Sequence, residues 1–146
     1  MTVSASLSGN RYGNPVFDCS GARLRAQSRR LATVVTISGE IDAVNIDRVT
    51  QHARRFVLAA TSVVLDLSGV RGVAERGLEL LRAIDQDCGD AGVDWALVPS
   101  SAVLRLLSVS DDRYPIAASV RGALNYFADE TLQRRSTLLP LLIKSA

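Results

Sequence analysis

The sequence has one histidine, His52, two cysteines, Cys19 and Cys88, and a single lysine, Lys144, against sixteen arginines. Metal centres and base-assisted nucleophiles need several imidazoles, thiols or carboxylates converging on one point. With so few of the first two, the chain reads as non-catalytic, with no metal and no cofactor. The near absence of lysine reflects a GC-rich genome and says little about function. No uninterrupted apolar run of about 18 residues exists, so no membrane-spanning helix is expected. Residues 1–13 are polar and lack the apolar stretch of a secretory signal. The two thiols, 69 positions apart, are therefore expected as small buried side chains in a reducing cytoplasm.

What remains is the composition of an ordinary globular protein. The 146 residues are 47% hydrophobic and 22% charged, which points to one domain with extensions. The formal charge of +2 is uneven: residues 1–30 hold five arginines against Asp18, a surplus of +4, which leaves residues 31–146 at −2. The basic leading segment lacks the clustering and interleaved aromatics of a nucleic-acid-binding arm. Neither nucleic acid nor membrane is expected as a partner.

Along the chain, residues 1–21 are rich in Ser, Gly and Asn and read as a flexible tail with at most a short strand around Val16-Phe17. The domain is expected over 22–132, followed by a C-terminal apolar extension, 133–146. Residues 22–27 alternate Leu24 and Ala26 with Arg23, Arg25 and Gln27, the period of a half-buried strand. A β-branched run, 32–37, closed by Gly39, predicts a second strand. Ile46, Val49, Ala53, Phe56, Val57 and Ala60 have helical spacing, with Arg48, Arg54 and Arg55 turned outward. Val63-Val64-Leu65 predicts a short central strand ending at Asp66. A helix over 75–88 follows, with Gly89 as its stop. Then come a strand over 95–98, a short helix capped by Ser100 or Ser101, a short strand at Ile116-Ala117, and a helix capped by Ser119. Strands alternating with helices predict right-handed crossovers and a mostly parallel sheet.

Few residues carry chemistry. His52 is expected as an exposed helix residue. Gly69, Gly72 and Gly77 lack the spacing of a phosphate-binding loop, so turn geometry explains them better. Asp85, Asp87, Asp90 and Asp94 fit no calcium loop and are expected on a solvated surface. Two segments stand out: Gly39-Glu40-Ile41-Asp42 and Asp66-Leu67-Ser68-Gly69-Val70, each read as a turn leading from a strand to a helix. In a parallel sheet both would lie at the carboxyl ends of strands, where ligands and partners bind.

With these segments in order, the sequence resembles the STAS domain, and within it the bacterial anti-sigma-factor antagonists, in a divergent, Arg-rich, mycobacterial form. The resemblance spans roughly residues 22–129 and rests on Gly39 to Asp42, Val63 to Val70 and Gly77-Leu78. Ala91-Gly92, Pro99-Ser100 and Leu106-Leu107 add to it. It implies an α/β, STAS-like domain with a mixed, mostly parallel sheet of about five strands and about four helices. It also implies transcription regulation by partner switching, in which an antagonist binds an anti-sigma factor, often a serine kinase. Phosphorylation in an Asp-Ser-Ser-Gly motif at the start of the second helix then breaks that complex. A phosphate adds about −1.5 to −2 of charge inside a tight interface, which is the physical basis of the switch.

At that motif this sequence departs from the pattern. Aligning Gly77 with the motif's glycine puts Ala74 at the Asp, Glu75 at the acceptor Ser and Arg76 at the second Ser. The standard switch cannot operate, and Ala74-Glu75-Arg76 sums to zero charge, Glu75 and Arg76 offsetting one another. The expected partner-binding residues are therefore Asp42, Ser68, Ala74, Glu75, Arg76 and Gly77. A displaced modification would fall on the hydroxyl-rich tail, at Thr2 or Ser4 with Ser6 and Ser8 beside them, or on Ser68. A second reading is a small-ligand or nucleotide-sensing module, with an anion near Gly69, Gly72 and the amides of the second helix, where Glu75 would repel it. A third is a homodimer or larger scaffold joined through the apolar residues 138–143.

Overall fold

The structure, a computed structural model, describes residues 16–131. Thr2, Ser4 and residues 138–143 lie outside the described residues. The sheet starts at β1 (Val16–Asp18), six residues before the expected domain start. There Phe17 packs against the core and Cys19 is fully buried. Next come β2 (Ala22–Ser28), β3 (Thr33–Ile41), α1 (Ile46–Leu58) and β4 (Ser62–Val73). A single 3₁₀ turn (Glu75–Gly77) leads into α2 (Leu78–Ala91), followed by β5 (Asp94–Val98) and α3 (Ser101–Ser108). A last helix, α4, occupies 120–131 of the described residues.

The five strands lie in chain order, β1-β2-β3-β4-β5. The sheet is mixed, its four ladders divided evenly. β1–β2 and β2–β3 are antiparallel, while β3–β4 and β4–β5 are parallel. Ile116 adds one further parallel bridge to Leu97 where the short last strand was expected. The apolar pattern explains the layers. Leu24, Val35, Ile37, Leu65, Leu67 and Leu97 face α1, α2 and α3 in the larger core. On the opposite face Val34, Val64, Ala96 and Val98 form a smaller one with Ala123 and Phe127 of α4. A leucine or isoleucine buried this completely contributes about 1.5–3 kcal/mol.

Two expected turns are strand. β3 continues through Glu40 to Ile41, and β4 runs twelve residues to Val73. Their pairing continues across a pair of register shifts, at Thr36/Ser38 and Gly39/Glu40, each placing an extra residue in β4. Gly69 and Gly72 sit next to these bulges, where a strand glycine is normal, so their turn chemistry was misleading. Helix α2 likewise passes through Gly89 and stops at Gly92, whose φ of 68° is the left-handed cap. Ser100 caps α3 by accepting from the Val103 N–H at 3.2 Å.

Candidate functional site

Lengthening both strands moves the candidate site further along the sheet. The Ala74 N–H donates to the Ile41 carbonyl at 2.8 Å, so the chain leaving β3 and the chain leaving β4 emerge side by side. Asp42, Ala74, Glu75, Arg76 and Gly77 gather there. Ser68 does not. It lies inside β4, six residues or about 20 Å of strand before Ala74. Its hydroxyl donates to Asp66 at 2.6 Å, so a phosphate on that oxygen would be placed against a carboxylate.

The β3–α1 loop is held by a reciprocal pair. The Asn45 side-chain oxygen accepts from the Asp42 N–H at 2.9 Å, and Asp42 Oδ1 accepts from the Asn45 N–H at 3.0 Å and the Val44 N–H at 2.9 Å. Asn45 Nδ2 donates to the Glu40 carbonyl at 2.8 Å and the Ser20 carbonyl at 3.1 Å. Asn45 is the only polar residue among the described ones to be buried, at 2% exposure. Its latch lifts Val44 to the loop tip, 84% exposed. Neither residue was anticipated; the signal for the first was the spacing Asp42-x-x-Asn45 before a helix.

The β4–α2 connection is equally fixed. The Gly77 N–H donates to the Ala74 carbonyl at 2.8 Å, closing the 3₁₀ turn. A Cβ on Gly77 would collide with Val73 Cγ2 and lie 3.5 Å from Leu106 Cδ2, so any larger residue would force Val73 to shift. Arg76 does not offset Glu75. Its guanidinium makes a bidentate pair with Glu79, at 2.9 and 3.0 Å, and reaches Asp47 at 3.2 Å and the Ala43 carbonyl at 3.3 Å. The hydrogen bonds to Glu79 raise the arginine's pKa, and the same contact lowers that of the Glu79 carboxyl. Arg76 thus ties the two helix N-termini together. Glu75 is left exposed at the apex, with no hydrogen bond or ion pair to the described residues. Asp42, Asp47, Glu75 and Glu79 against Arg76 make this end acidic.

Other candidates have structural roles. His52 is half-buried and stacked on Phe17, ring centroids 4.1 Å apart and 17° from parallel. Its Nδ1 is buried without a partner, and burial followed by Arg55 and Arg48 lowers its pKa. It is therefore not the exposed helix residue expected. Asp87 holds Arg54 at 2.7 and 3.1 Å, and Asp85 accepts from Trp95 Nε1 at 3.0 Å, so half of the aspartate group braces α2. Among the described residues no group of three or more His, Cys, Asp or Glu could hold a metal. Gly69 and Gly72, in β4, are not gathered with the α2 amides into an anion cradle.

The fold and this turn define a class: α/β domains with a mixed five-stranded sheet, in which the turn after a central strand leads straight into a helix. The chain belongs to the STAS domain family, whose model matches residues 16–111. It is similar to "Osmosensory protein A" of Mycobacterium tuberculosis (strain ATCC 25618 / H37Rv), 45% identical over 142 residues that cover 93% of this chain and 90% of the relative. Among solved structures, an anti-sigma factor antagonist from Mycobacterium paratuberculosis superposes with a TM-score of 0.64 at 24% identity, covering 73% of this chain and 94% of that one. A single-residue variant of RsbS from Moorella thermoacetica does so with a TM-score of 0.62 at 16% identity, covering 74% and 97%. At these identities the structural likeness establishes the shared fold.

Proposed function

We propose that the chain is a non-catalytic regulator of the anti-sigma-factor antagonist kind, acting in the cytoplasm. It binds an anti-sigma factor or serine-kinase-type regulator through the surface of Asp42, Ala74, Glu75, Arg76 and Gly77, with Val44 beside it. The observation that carries this reading is the rigid, exposed turn itself. Arg76 and Gly77 fix its backbone, while Glu75 and Val44 project from it with no side-chain hydrogen bond or ion pair to the described residues. An exposed apolar side chain next to a charged rim is the usual composition of a docking patch. The antagonist structures sharing this fold support the kind of partner.

Glu75 occupies the position where the family's acceptor hydroxyl would stand, and a carboxylate cannot form the stable phosphate ester a serine forms. Partner release by modification of the turn is therefore absent from this reading. Thr2 and Ser4 are the proposed sites of any phosphorylation. Titration of the purified chain against kinase-type anti-sigma factors from the same cells tests the reading. Binding is expected to weaken at least tenfold in Glu75→Arg and in Val44→Asp. Binding to none of them, or binding indifferent to both substitutions, overturns it.

A further inference from the structure

The outer edge of β5 is open next to an apolar groove. Leu97 turns its N–H to the Pro115 carbonyl, at 2.7 Å, and its carbonyl to the Ala117 N–H, at 2.8 Å. Side-to-side alternation along a strand has a period of two, so Trp95 turns its backbone N–H and C=O to the same edge. No described residue on that side pairs with them. The groove beside this edge, ≈ 710 Å³, runs between β5 and α4 and is lined by Trp95, Pro115, Ile116, Tyr126 and Phe127. Ile116 and Tyr126, 54% and 52% exposed, both line this one groove. Asp85, Asp94 and Glu130 make its rim acidic.

We infer that this groove is the docking site of the chain's own residues 138–143, Leu-Leu-Pro-Leu-Leu-Ile. Three observations select that occupant. The segment follows α4 in the sequence, and Phe127 and Glu130 of that helix line the groove; the seven residues from 131 to 138 would span about 10 Å as helix and up to about 24 Å extended. Pro140 disfavours helix at Leu139 and at its own position, which suits an extended strand adding to an open edge. Residues 132–146 carry Arg134, Arg135 and Lys144 and no carboxylate side chain, a charge complementary to the acidic rim. The segment extends the sheet past Trp95 while its leucines cover Ile116 and Tyr126. An exposed strand edge, which otherwise invites pairing with another chain, is thereby closed.

The test uses the full chain. Hydrogen exchange at the Trp95 amide is compared between the parent and Leu141→Asp/Leu142→Asp, with Ile116→Asp as a second variant that breaks the groove from the other side. Both are expected to exchange at least tenfold faster while far-UV circular dichroism is unchanged. Ile116→Cys paired with Leu141→Cys is then expected to form an intrachain disulfide on a monomer. Exchange equal in all three proteins, or no crosslink at any of positions 138–142, overturns the inference. A crosslink found only between two chains overturns it in favour of a second copy's segment as occupant.

Discussion

Asn45→Ala tests how the strand-end surface is held. Asn45 makes three side-chain hydrogen bonds, accepting from the Asp42 N–H and donating to the Ser20 and Glu40 carbonyls, all at 3.1 Å or less. At about 0.5–1.5 kcal/mol net for each bond, their loss costs about 1.5–4.5 kcal/mol. Water entering the vacated space re-satisfies part of the freed backbone and lowers the upper end, to an expectation of about 1.5–3 kcal/mol. Urea unfolding should show a lower midpoint at constant slope, and heating a melting temperature lower by about 6–15 °C. Asn45→Asp should be at least as damaging. It keeps the acceptor for Asp42 but sets a carboxylate against two carbonyl oxygens that had received an amide. A loss below about 0.5 kcal/mol in Asn45→Ala, the size of an ordinary surface substitution, would refute the latch.

Gly77→Ala should destabilise by about 1–3 kcal/mol, because the new methyl overlaps Val73 where the turn passes between β4 and α3; an unchanged urea midpoint would show that the turn adapts freely. His52 should make stability depend on pH. Its folded pKa lies below the ordinary value of 6.5, so the fold favours neutral imidazole. That contribution is complete above pH 6.5 and is lost as pH falls from there through the folded value. The midpoint should therefore hold between about pH 7 and 8 and decline toward about pH 5.5, ahead of the carboxylates, and His52→Gln should remove the decline; an identical profile in the variant would assign it to other groups.

Much of the fold was legible because its helices and inner strands have clean periods. The stripe Ile46, Val49, Ala53 and Val57 is buried as its spacing requires, and Leu24 and Ala26 alternate with exposed arginines as a strand should. What misled was glycine. Gly69 and Gly72 read as the end of a strand because turns are their commonest setting, yet they sit beside bulges within β4, and only the pairing partner reveals a bulge. The same error placed Ser68 at the surface that Asp42 and Ala74 form. Arg76 shows a different limit: its neighbour in sequence is Glu75, but the fork of its guanidinium meets Glu79 one turn on and Asp47 on another helix, a choice set by tertiary geometry.

These contacts bear on what a turn without an acceptor hydroxyl can do. In the family's switch the charge of one residue changes while the surrounding backbone stays available to its partner. Here position 75 has no hydroxyl, and Arg76, Asn45 and Gly77 each restrain the backbone on either side of it. A surface restrained in that way loses little conformational freedom on docking, which lowers the entropic cost of a complex. Under the proposed function, the amount of complex formed is then governed by how much protein is present and by modifications elsewhere in the chain. Releasing the restraint should weaken binding even where the projecting side chains Glu75 and Val44 are left unaltered. Arg76→Gln keeps Glu75 and Val44 intact while removing the bridge to Glu79 and Asp47; it should reduce affinity through slower association at unchanged fold stability, whereas unchanged association would show that the bridge leaves the docking patch unaffected.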